Sequence, residues 1–184
     1  RKKIGNKNSI IVFATKEKEK NLLIYAAINN IHKKNKIIAT KLYNESYKKN
    51  FIEIQDFGND TVLKLLKKKG SKKIKLYKES VNLLNQIQKI KQNKTQNFKG
   101  KSYKIPIYNN NQLLVEAKLF SNWYLKKYIS KKKILSTNLQ INKQIKFLLS
   151  NLKSKNNVFV HRDFHVSNLM KFKKELATID TQDA

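Results

Sequence analysis

Short apolar runs rich in β-branched residues lie near both ends of this chain, while its middle carries apolar residues at helical spacing. Near the beginning, residues 9–14 (SIIVFA) predict a buried strand, and the Glu/Lys-rich residues 16–31 predict a helix. Residues 37–42 and 51–54 alternate or run apolar on either side of a polar segment, 44–50, which predicts a hairpin. The beginning of the chain is therefore expected to be mixed β/α.

The middle of the chain predicts three helices, which are separated after the first by a polar loop at residues 91–103. Their apolar faces are, in chain order, Tyr77, Val81, Leu84 and Ile87; then Leu113, Ala117, Phe120, Tyr124 and Tyr128, on a helix over residues 112–129; then Ile141, Ile145, Leu148 and Leu152. Leu76, Leu83 and Ile90 widen the stripe of the first helix, which suggests burial on more than one side.

The last part of the chain returns to short apolar runs, at residues 158–160, 169–172 and 177–179, which predict three strands. Strands, then helices, then strands indicate an α+β fold, and 184 residues suit a single domain. The chain begins with Arg1 rather than methionine and ends four residues after Asp180, so we expect a fragment of a longer protein.

The formal charge of +29 would ordinarily suggest a nucleic-acid or acidic-membrane partner. However, 39 of the 41 basic residues are lysine and two are arginine, whereas recognition of phosphates and base edges relies heavily on the arginine guanidinium. Lysine and asparagine are abundant throughout, as compositional drift would produce. We therefore interpret the charge mainly as a solvated surface and expect no nucleic-acid partner, while a lysine-rich nucleic-acid-binding module remains the alternative from another functional class.

The chain has no cysteine, which excludes disulfides and thiolate metal sites. No apolar run approaches the length of a membrane span, and no signal peptide opens the sequence. We expect a cytoplasmic protein that does not bind membranes.

Acidic residues concentrate near the end of the chain, where three of the five aspartates, Asp163, Asp180 and Asp183, lie within the last 22 residues. Asn168 follows Asp163 with four residues between them, the separation of the base and a metal ligand in a kinase catalytic loop. Phosphoryl transfer needs a carboxylate that orients the attacking hydroxyl and oxygen ligands that hold Mg²⁺. Asp163, Asn168 and Asp180 could supply all three groups. The alternative is a turn in which the Asp163 and Asn168 side chains cap backbone groups.

Several segments together resemble a known family. HRDFHVSNLM (161–170) followed by IDTQDA (179–184) resembles the catalytic signature of the aminoglycoside phosphotransferase and choline-kinase-like superfamily. IEIQDFGND (52–60) is similar to the hinge of these kinases, and LLVEAKLFSNWYL (113–125) to a helix of the branch that contains bacterial N-acetylmuramate and N-acetylglucosamine 1-kinases.

The resemblance implies a protein-kinase-like two-lobed fold, truncated at both ends, with a small-lobe remainder and hinge at residues 1–58 and a helical large lobe at residues 59–184. It also implies ATP and Mg²⁺ as cofactors and a hydroxyl of a small molecule as the acceptor, and the resemblance to the 1-kinase branch favours an amino sugar such as N-acetylmuramate or N-acetylglucosamine. An aminoglycoside or choline-type kinase is the near alternative, and a protein Ser/Thr kinase a more distant one.

Carried over to this sequence, the resemblance makes Asp163 the catalytic base, Asn168 and Asp180 the magnesium ligands, and Asp183 a possible aid to a second metal. It places the adenine contact on the backbone of Gln55, Asp56 and Phe57. The phosphate-binding lysine of the small lobe is not identifiable, although Lys16 lies near the expected strand end. Position 181 is Thr, where the family usually has a bulky apolar or aromatic residue.

Four further side chains are possible site residues. Glu116 shares a helix side with Phe120 and Trp123, so Glu116 and Trp123 could contact a sugar, although a structural pair and a core aromatic residue are the alternative. His161 and His165 flank Asp163, and the three together could form a zinc site. Because that site would leave Asn168 and Asp180 unexplained, we expect His161 instead to brace the loop by packing and hydrogen bonds.

Overall fold

The computed structural model of the protein describes residues 1–4, 7–14, 19–97, 99–152 and 158–181. The elements form a mixed α+β architecture, as the sequence predicts. In chain order they are β1 (Lys2–Ile4), β2 (Lys7–Phe13), α1 (Glu19–Lys34), β3 (Ile38–Ala39), β4 (Leu42–Ser46), β5 (Phe51–Gln55), α2 (Val62–Lys67), α3 (Lys73–Gln88), β6 (Lys94–Gln96), β7 (Ser102–Lys104), α4 (Asn110–Leu119), α5 (Lys126–Tyr128), α6 (Lys131–Asn151), β8 (Leu169–Phe172) and β9 (Glu175–Thr178).

The chain divides into two compact units, Arg1–Ile105 with Val158–Ala184, and Pro106–Asn157. The first unit contains all the strands of the described residues together with α1, α2 and α3, and the second contains α4, α5 and α6. In the part of the chain that the structure describes, no helix combines the length and apolar character needed to cross a membrane. The predicted division at residues 58/59 stays a prediction.

The first sheet has the strand order β1-β2-β5-β4 and is antiparallel throughout. The strand expected at residues 9–14 is confirmed as β2, where Ile10 lies opposite Ile54 of β5. The expected hairpin forms between β4 and β5, but its first strand lies at residues 42–46 rather than 37–42. That expectation was wrong because β4 is an edge strand, and an edge strand can present polar residues to solvent on most of its length.

The second sheet has the order β3-β9-β8. Ile38 and Ala39, expected in the hairpin, instead pair in parallel with Ala177 and Thr178 of β9. The strands expected at residues 169–172 and 177–179 are confirmed as β8 and β9, with β9 beginning at Glu175. The strand expected at residues 158–160 is wrong, because this segment pairs with no strand among the described residues, although Phe159 is buried in the core.

The main core of the first unit joins α1, α2, α3 and the second sheet. Its buried residues are Ile28, Ile31, Ile37, Val62, Leu83, Ile87, Ile90, Phe159, Leu169 and Leu176. The expected stripe on α3 is wrong at two positions, since Tyr77 is 53% and Val81 is 55% exposed. The side of α3 that carries Leu83 and Ile87 faces the core, and the side that carries Tyr77 and Val81 is exposed to solvent.

Residues 91–103, expected to be a loop, contain the β6–β7 hairpin. The side chain of Asn97 supports its turn by accepting hydrogen bonds from the N–H groups of Lys99 and Lys101, at 3.0 and 3.2 Å. Three-residue strands of polar residues carry no readable alternation, so the sequence pattern could not predict them.

The second unit confirms the two remaining predicted helices, as α4 to α5 and as α6. Asn109 begins α4 by accepting hydrogen bonds from the N–H groups of Asn111 and Gln112. A π-helical segment, Phe120–Leu125, joins α4 to α5. The aromatic residues of the expected face contact one another, since the Phe120 ring stacks on Tyr124 and the Tyr124 ring meets Tyr128 at a tilt. All three rings are exposed, so this face does not pack into a core of the described residues.

Candidate functional site

A cavity of about 490 Å³ lies in the first unit. Apolar side chains of β2 and β5, such as Val12 and Ile52, form one part of its wall. The other lining residues include members of α1 and α2, the residues after β5, and the residues next to β8 and β9. Six polar residues of the wall matter below: Tyr25, Thr40, Gln55, Asp56, Asn168 and Asp180. A concave, mostly apolar site with a few convergent polar groups is the usual form of a small-molecule site.

Asp163 and Asn168 are in direct contact. The Nδ2 group of Asn168 donates hydrogen bonds to Oδ2 of Asp163 at 3.0 Å and to the carbonyl oxygen of Asp163 at 3.1 Å. These bonds assign the amide nitrogen to Asp163 and leave Oδ1, the only atom of the amide that can bind a cation, on the other side of the group. The bond to the carbonyl oxygen of Asp163 also closes the turn between the two residues. The alternative in which Asn168 caps a backbone group is therefore correct for this one bond.

The loop between Phe159 and β8 is tightly folded around Asp163. The N–H of Asp163 donates to the carbonyl of His161 at 2.7 Å, and the N–H of Asn168 donates to the carbonyl of His165 at 2.8 Å. Arg162 has a φ of 62°, a left-handed conformation that is uncommon for a side-chain-bearing residue. Such conformations persist where the surrounding structure holds them, often at functional sites.

Asp180 follows β9 and faces the same cavity as Asn168. The N–H of the preceding residue, Ile179, donates to the carbonyl of Asn168 at 3.0 Å, which ties the two segments together. Asp180 also has a left-handed backbone, with a φ of 59°. One carboxylate and one amide oxygen on a shared cavity wall are hard oxygen donors, the kind that Mg²⁺ prefers. The residues present therefore fit a magnesium ion.

The predicted hinge residues line this cavity as well. The N–H groups of Gln55 and Asp56 are used inside the sheet, where they donate to the carbonyls of Lys41 and Asn8. Within the described part of the chain, the N–H of Phe57 donates to no backbone carbonyl. Of the three predicted adenine contacts, the Phe57 N–H is thus the donor that remains for a ligand.

The hinge segment is held by charge and packing. Oδ1 of Asp56 accepts a hydrogen bond from the N–H of Gly58 at 2.7 Å, and its Oδ2 lies 3.2 Å from Nε of Arg1. The Phe57 ring packs against the Phe172 ring at 4.5 Å between centroids. The Asp56 carboxylate is therefore committed to the shape of the segment, and only backbone groups are left to contact a base.

His161 packs as expected but does not form the expected hydrogen bonds. Its side chain is buried and stacks on His32 at 6.1 Å between ring centroids. Neither ring nitrogen has a hydrogen-bond partner among the described residues. Burial lowers the pKa of His161, although Asp163 and Asp180 act to raise it. The loop is thus braced by packing of a neutral ring.

The zinc alternative does not form. Nε2 of His165 lies 3.3 Å from Oδ1 of Asp163, but the buried His161 does not join them. Among the described residues, no three His, Cys, Asp or Glu side chains are close enough together to hold a metal ion. His165 instead contacts the predicted base directly, where it can hold the carboxylate in place.

Of four more residues that the sequence singles out, two lie in the second unit and two outside the described residues. Glu116 and Trp123 lie in the second unit, where Glu116 accepts a hydrogen bond from the Tyr108 hydroxyl and Trp123 is 77% exposed. Trp123 is therefore not the core residue of the alternative interpretation. Asp183 and Lys16 lie outside the described residues.

Sequence reasoning missed several residues of the cavity wall, among them Tyr25, Thr40 and Lys64. Lys64 carried no signal, because it is one of 39 lysines. Tyr25 and Thr40 belong to α1 and to the residues after β3, and only the fold brings them beside Asp180. Sequence patterns relate residues that are near each other in the chain, so they could not predict that Tyr25 and Thr40 share a cavity with Asp180.

Comparison with known proteins shows a similarity to a bacterial kinase. The chain matches no protein-family model. It is 29% identical over 136 residues to an N-acetylmuramate/N-acetylglucosamine kinase of Neisseria meningitidis serogroup B. The aligned part covers 73% of this chain but 38% of that protein, so the chain spans less than half the length of the relative. This similarity supports a kinase-type phosphotransferase.

Proposed function

We propose that this chain is part of an ATP-dependent small-molecule kinase, with a protein-kinase-like two-lobed fold in which residues 1–58 belong to the small lobe and hinge. The kinase transfers the γ-phosphoryl group of ATP to a hydroxyl of an amino sugar such as N-acetylmuramate or N-acetylglucosamine. The name of the bacterial relative supports this acceptor class. Aminoglycoside and choline-type acceptors are the nearest alternatives.

One observation carries the proposal. Asn168 bonds to Asp163 while it shares a cavity wall with Asp180 and with Gln55, Asp56 and Phe57. The cavity thus brings together two segments that are more than a hundred positions apart, and Asp163 is joined to it through Asn168. The resemblance assigns the first segment to the adenine and the second to the phosphates of one nucleotide, so their common cavity supports phosphoryl transfer.

Asp163 acts as the base. Its carboxylate orients the acceptor hydroxyl and takes its proton, as the hydroxyl oxygen bonds to the γ-phosphorus and the bond to the β-phosphate oxygen breaks. Asn168 and His165 hold the two carboxylate oxygens at 3.0 and 3.3 Å, which fixes the direction of the base. ADP and the phosphorylated acceptor are the products.

Asn168 and Asp180 hold the metal and the hinge holds the nucleotide. When bound, Mg²⁺ neutralises charge on the phosphates of the nucleotide. The apolar wall formed by Val12, Ile52 and Ile54 suits the faces of an adenine ring, and the Phe57 N–H can donate to its edge. Glu116 and Trp123 remain proposed contacts of the sugar, and Asp183 of a second metal ion.

The test is a phosphoryl-transfer assay on the full-length protein with ATP, Mg²⁺ and a panel of amino sugars, aminoglycosides and amino alcohols. We expect ADP release with at least one sugar, and a loss of at least about a hundredfold in Asp163→Asn, the usual scale for a lost general base. Asp60→Asn is the matched control, because Asp60 is an exposed aspartate paired with Lys68 at 3.5 Å. Its activity should equal that of the wild type.

Equal turnover in the wild type and Asp163→Asn would remove Asp163 from the mechanism. Transfer to amino alcohols alone would replace the acceptor class and keep the chemistry.

A further inference from the structure

Thr181 is fully buried directly beside Asp180, although a hydroxyl there must find a partner to offset the loss of water. Its Oγ1 donates a hydrogen bond to Oδ1 of Asn29 on α1 at 2.9 Å. Thr178, three residues earlier, is bonded to α1 as well, through Nδ1 of His32 at 3.1 Å. The segment that carries Asp180 is thus attached to α1 on both sides of the aspartate.

The bonds continue from Thr181 to the cavity wall. Nδ2 of Asn29 donates to Oγ1 of Thr40 at 3.1 Å, and the same Oγ1 lies 2.5 Å from the Tyr25 hydroxyl. Asn29, Thr40 and Thr181 are all buried. Tyr25 and Thr40 line the cavity that Asp180 faces, so the chain of bonds begins and ends at the same site.

Asp180 itself needs such support. Its left-handed backbone, with a φ of 59°, is uncommon for a residue with a side chain. The Ile179 N–H bond to Asn168 fixes the residue before it, and the Thr181 bond to Asn29 fixes the residue after it. Both neighbours of the strained residue are therefore anchored by polar contacts rather than by packing alone.

We infer that Asn29 and Thr181, with Thr40 and Tyr25, are positioning residues that hold the Asp180 carboxylate at the metal position of the cavity. This inference rests on the proposed function. Burial, chiefly, raises the pKa of Tyr25, and the charge of Asp180 adds to it, so the hydroxyl stays protonated and able to donate at neutral pH. The four side chains act on the metal only through Asp180.

α1 contains a matched control for this chain of bonds. Asn30, the neighbour of Asn29, donates to Oγ1 of buried Thr95 at 3.4 Å and to the carbonyl of Gln96 at 3.2 Å. This pair also joins an asparagine of α1 to a buried threonine hydroxyl, which here accepts rather than donates, but it connects α1 to β6 instead of to the segment of Asp180. Thr95→Val therefore removes a buried threonine hydroxyl that is not next to Asp180. Thr181→Val removes a buried threonine hydroxyl beside Asp180, so the difference between the two variants measures the effect of that position.

The experiment measures how Mg²⁺ promotes binding of ADP to the full-length protein, by calorimetric titration at a series of Mg²⁺ concentrations. We expect Thr181→Val to raise the Mg²⁺ concentration for half-maximal binding by about tenfold, the lower end of the effect of lost outer-shell contacts. Thr95→Val should change this Mg²⁺ concentration by no more than about twofold, and Thr181→Ser, which keeps the hydroxyl, should have the wild-type value. Binding of ADP in EDTA should be the same in all variants.

The outcomes separate this inference from the proposed function. If Asp180→Asn abolishes the Mg²⁺ dependence while Thr181→Val and Thr95→Val behave alike, the positioning role is wrong and the metal site stands. If Asp180→Asn leaves the Mg²⁺ dependence unchanged, the proposed metal site itself fails. Should Thr181→Val not fold, Tyr25→Phe breaks the same chain at its cavity end, and an unchanged Mg²⁺ dependence in Tyr25→Phe overturns the inference.

Discussion

Two neutral histidines lie at the back of the candidate site. His32 on α1 is completely buried, and its Nδ1 shares a hydrogen bond with the Thr178 hydroxyl. Its ring stacks on His161, which lies two residues before Asp163. Its Nε2 has no hydrogen-bond partner among the described residues. A proton added to His32 would place a charge between α1 and the loop of Asp163, where burial disfavours it.

Mild acid should therefore destabilise the fold. Burial above all, and then His161, lowers the pKa of His32 to about 3, against 6.5 in the unfolded chain. Below about pH 6.5 the unfolded state binds a proton at His32, whereas the folded state does not until the pH approaches 3. The stability that the neutral ring contributes is therefore present above about pH 6.5 and is lost as the pH falls toward 3. We expect His32 to contribute about 2 kcal/mol of destabilisation between pH 6.5 and 5.

Urea unfolding at pH 5, 6 and 7 measures this contribution. His32→Gln should make the free energy of unfolding less dependent on pH, whatever its effect on stability at pH 7. The same pH slope in both proteins would show that His32 does not titrate as described.

At the residue scale, the sequence predicted the contact between Asp163 and Asn168 but not the residues that support Asp180. Four residues between Asp163 and Asn168 are few enough for a local turn to join them, so spacing alone could predict that contact. Thr181 was noticed only as a departure from a family pattern. Its partner Asn29 is 152 positions away, and one asparagine among 23 carries no signal until the fold is known.

At the element scale, hydrophobic periodicity found α3 but assigned part of its inner face wrongly. Apolar residues lie on both sides of this helix, and the sequence alone gives them equal weight. The fold buries Leu83 and Ile87 against α1 and β9 and leaves Tyr77 and Val81 in solvent. Which stripe is covered depends on the position of the neighbouring elements, and no pattern within the helix contains that information.

The two stripes of α3 should differ in their effect on stability. Ile87→Ala removes a fully buried side chain and leaves a cavity, so we expect a loss of about 2–5 kcal/mol in the free energy of unfolding. Val81→Ala removes a side chain that is 55% exposed and should change it by no more than about 0.5 kcal/mol. Urea unfolding at pH 7 measures both. Similar losses in the two variants would mean that Val81 is also part of a core.

At the scale of the whole molecule, chemistry and charge indicate different partners. The net charge of +29 is spread over lysines along the chain, whereas the residues with specific contacts converge on one cavity in the first unit. We therefore propose that the function resides in the cavity and that the charge is a solvated surface. The bacterial kinase relative is far longer than this chain, so the activity proposed here belongs to the full-length protein.

The most direct measurement is a crystal structure of the full-length protein with ADP and Mn²⁺, in which anomalous scattering locates the metal. We predict a metal peak within about 2.3 Å of Asn168 Oδ1 and of the Asp180 carboxylate, with the adenine at Phe57. A nucleotide bound outside this cavity, or a nucleotide-bound metal that neither side chain contacts, would contradict the account.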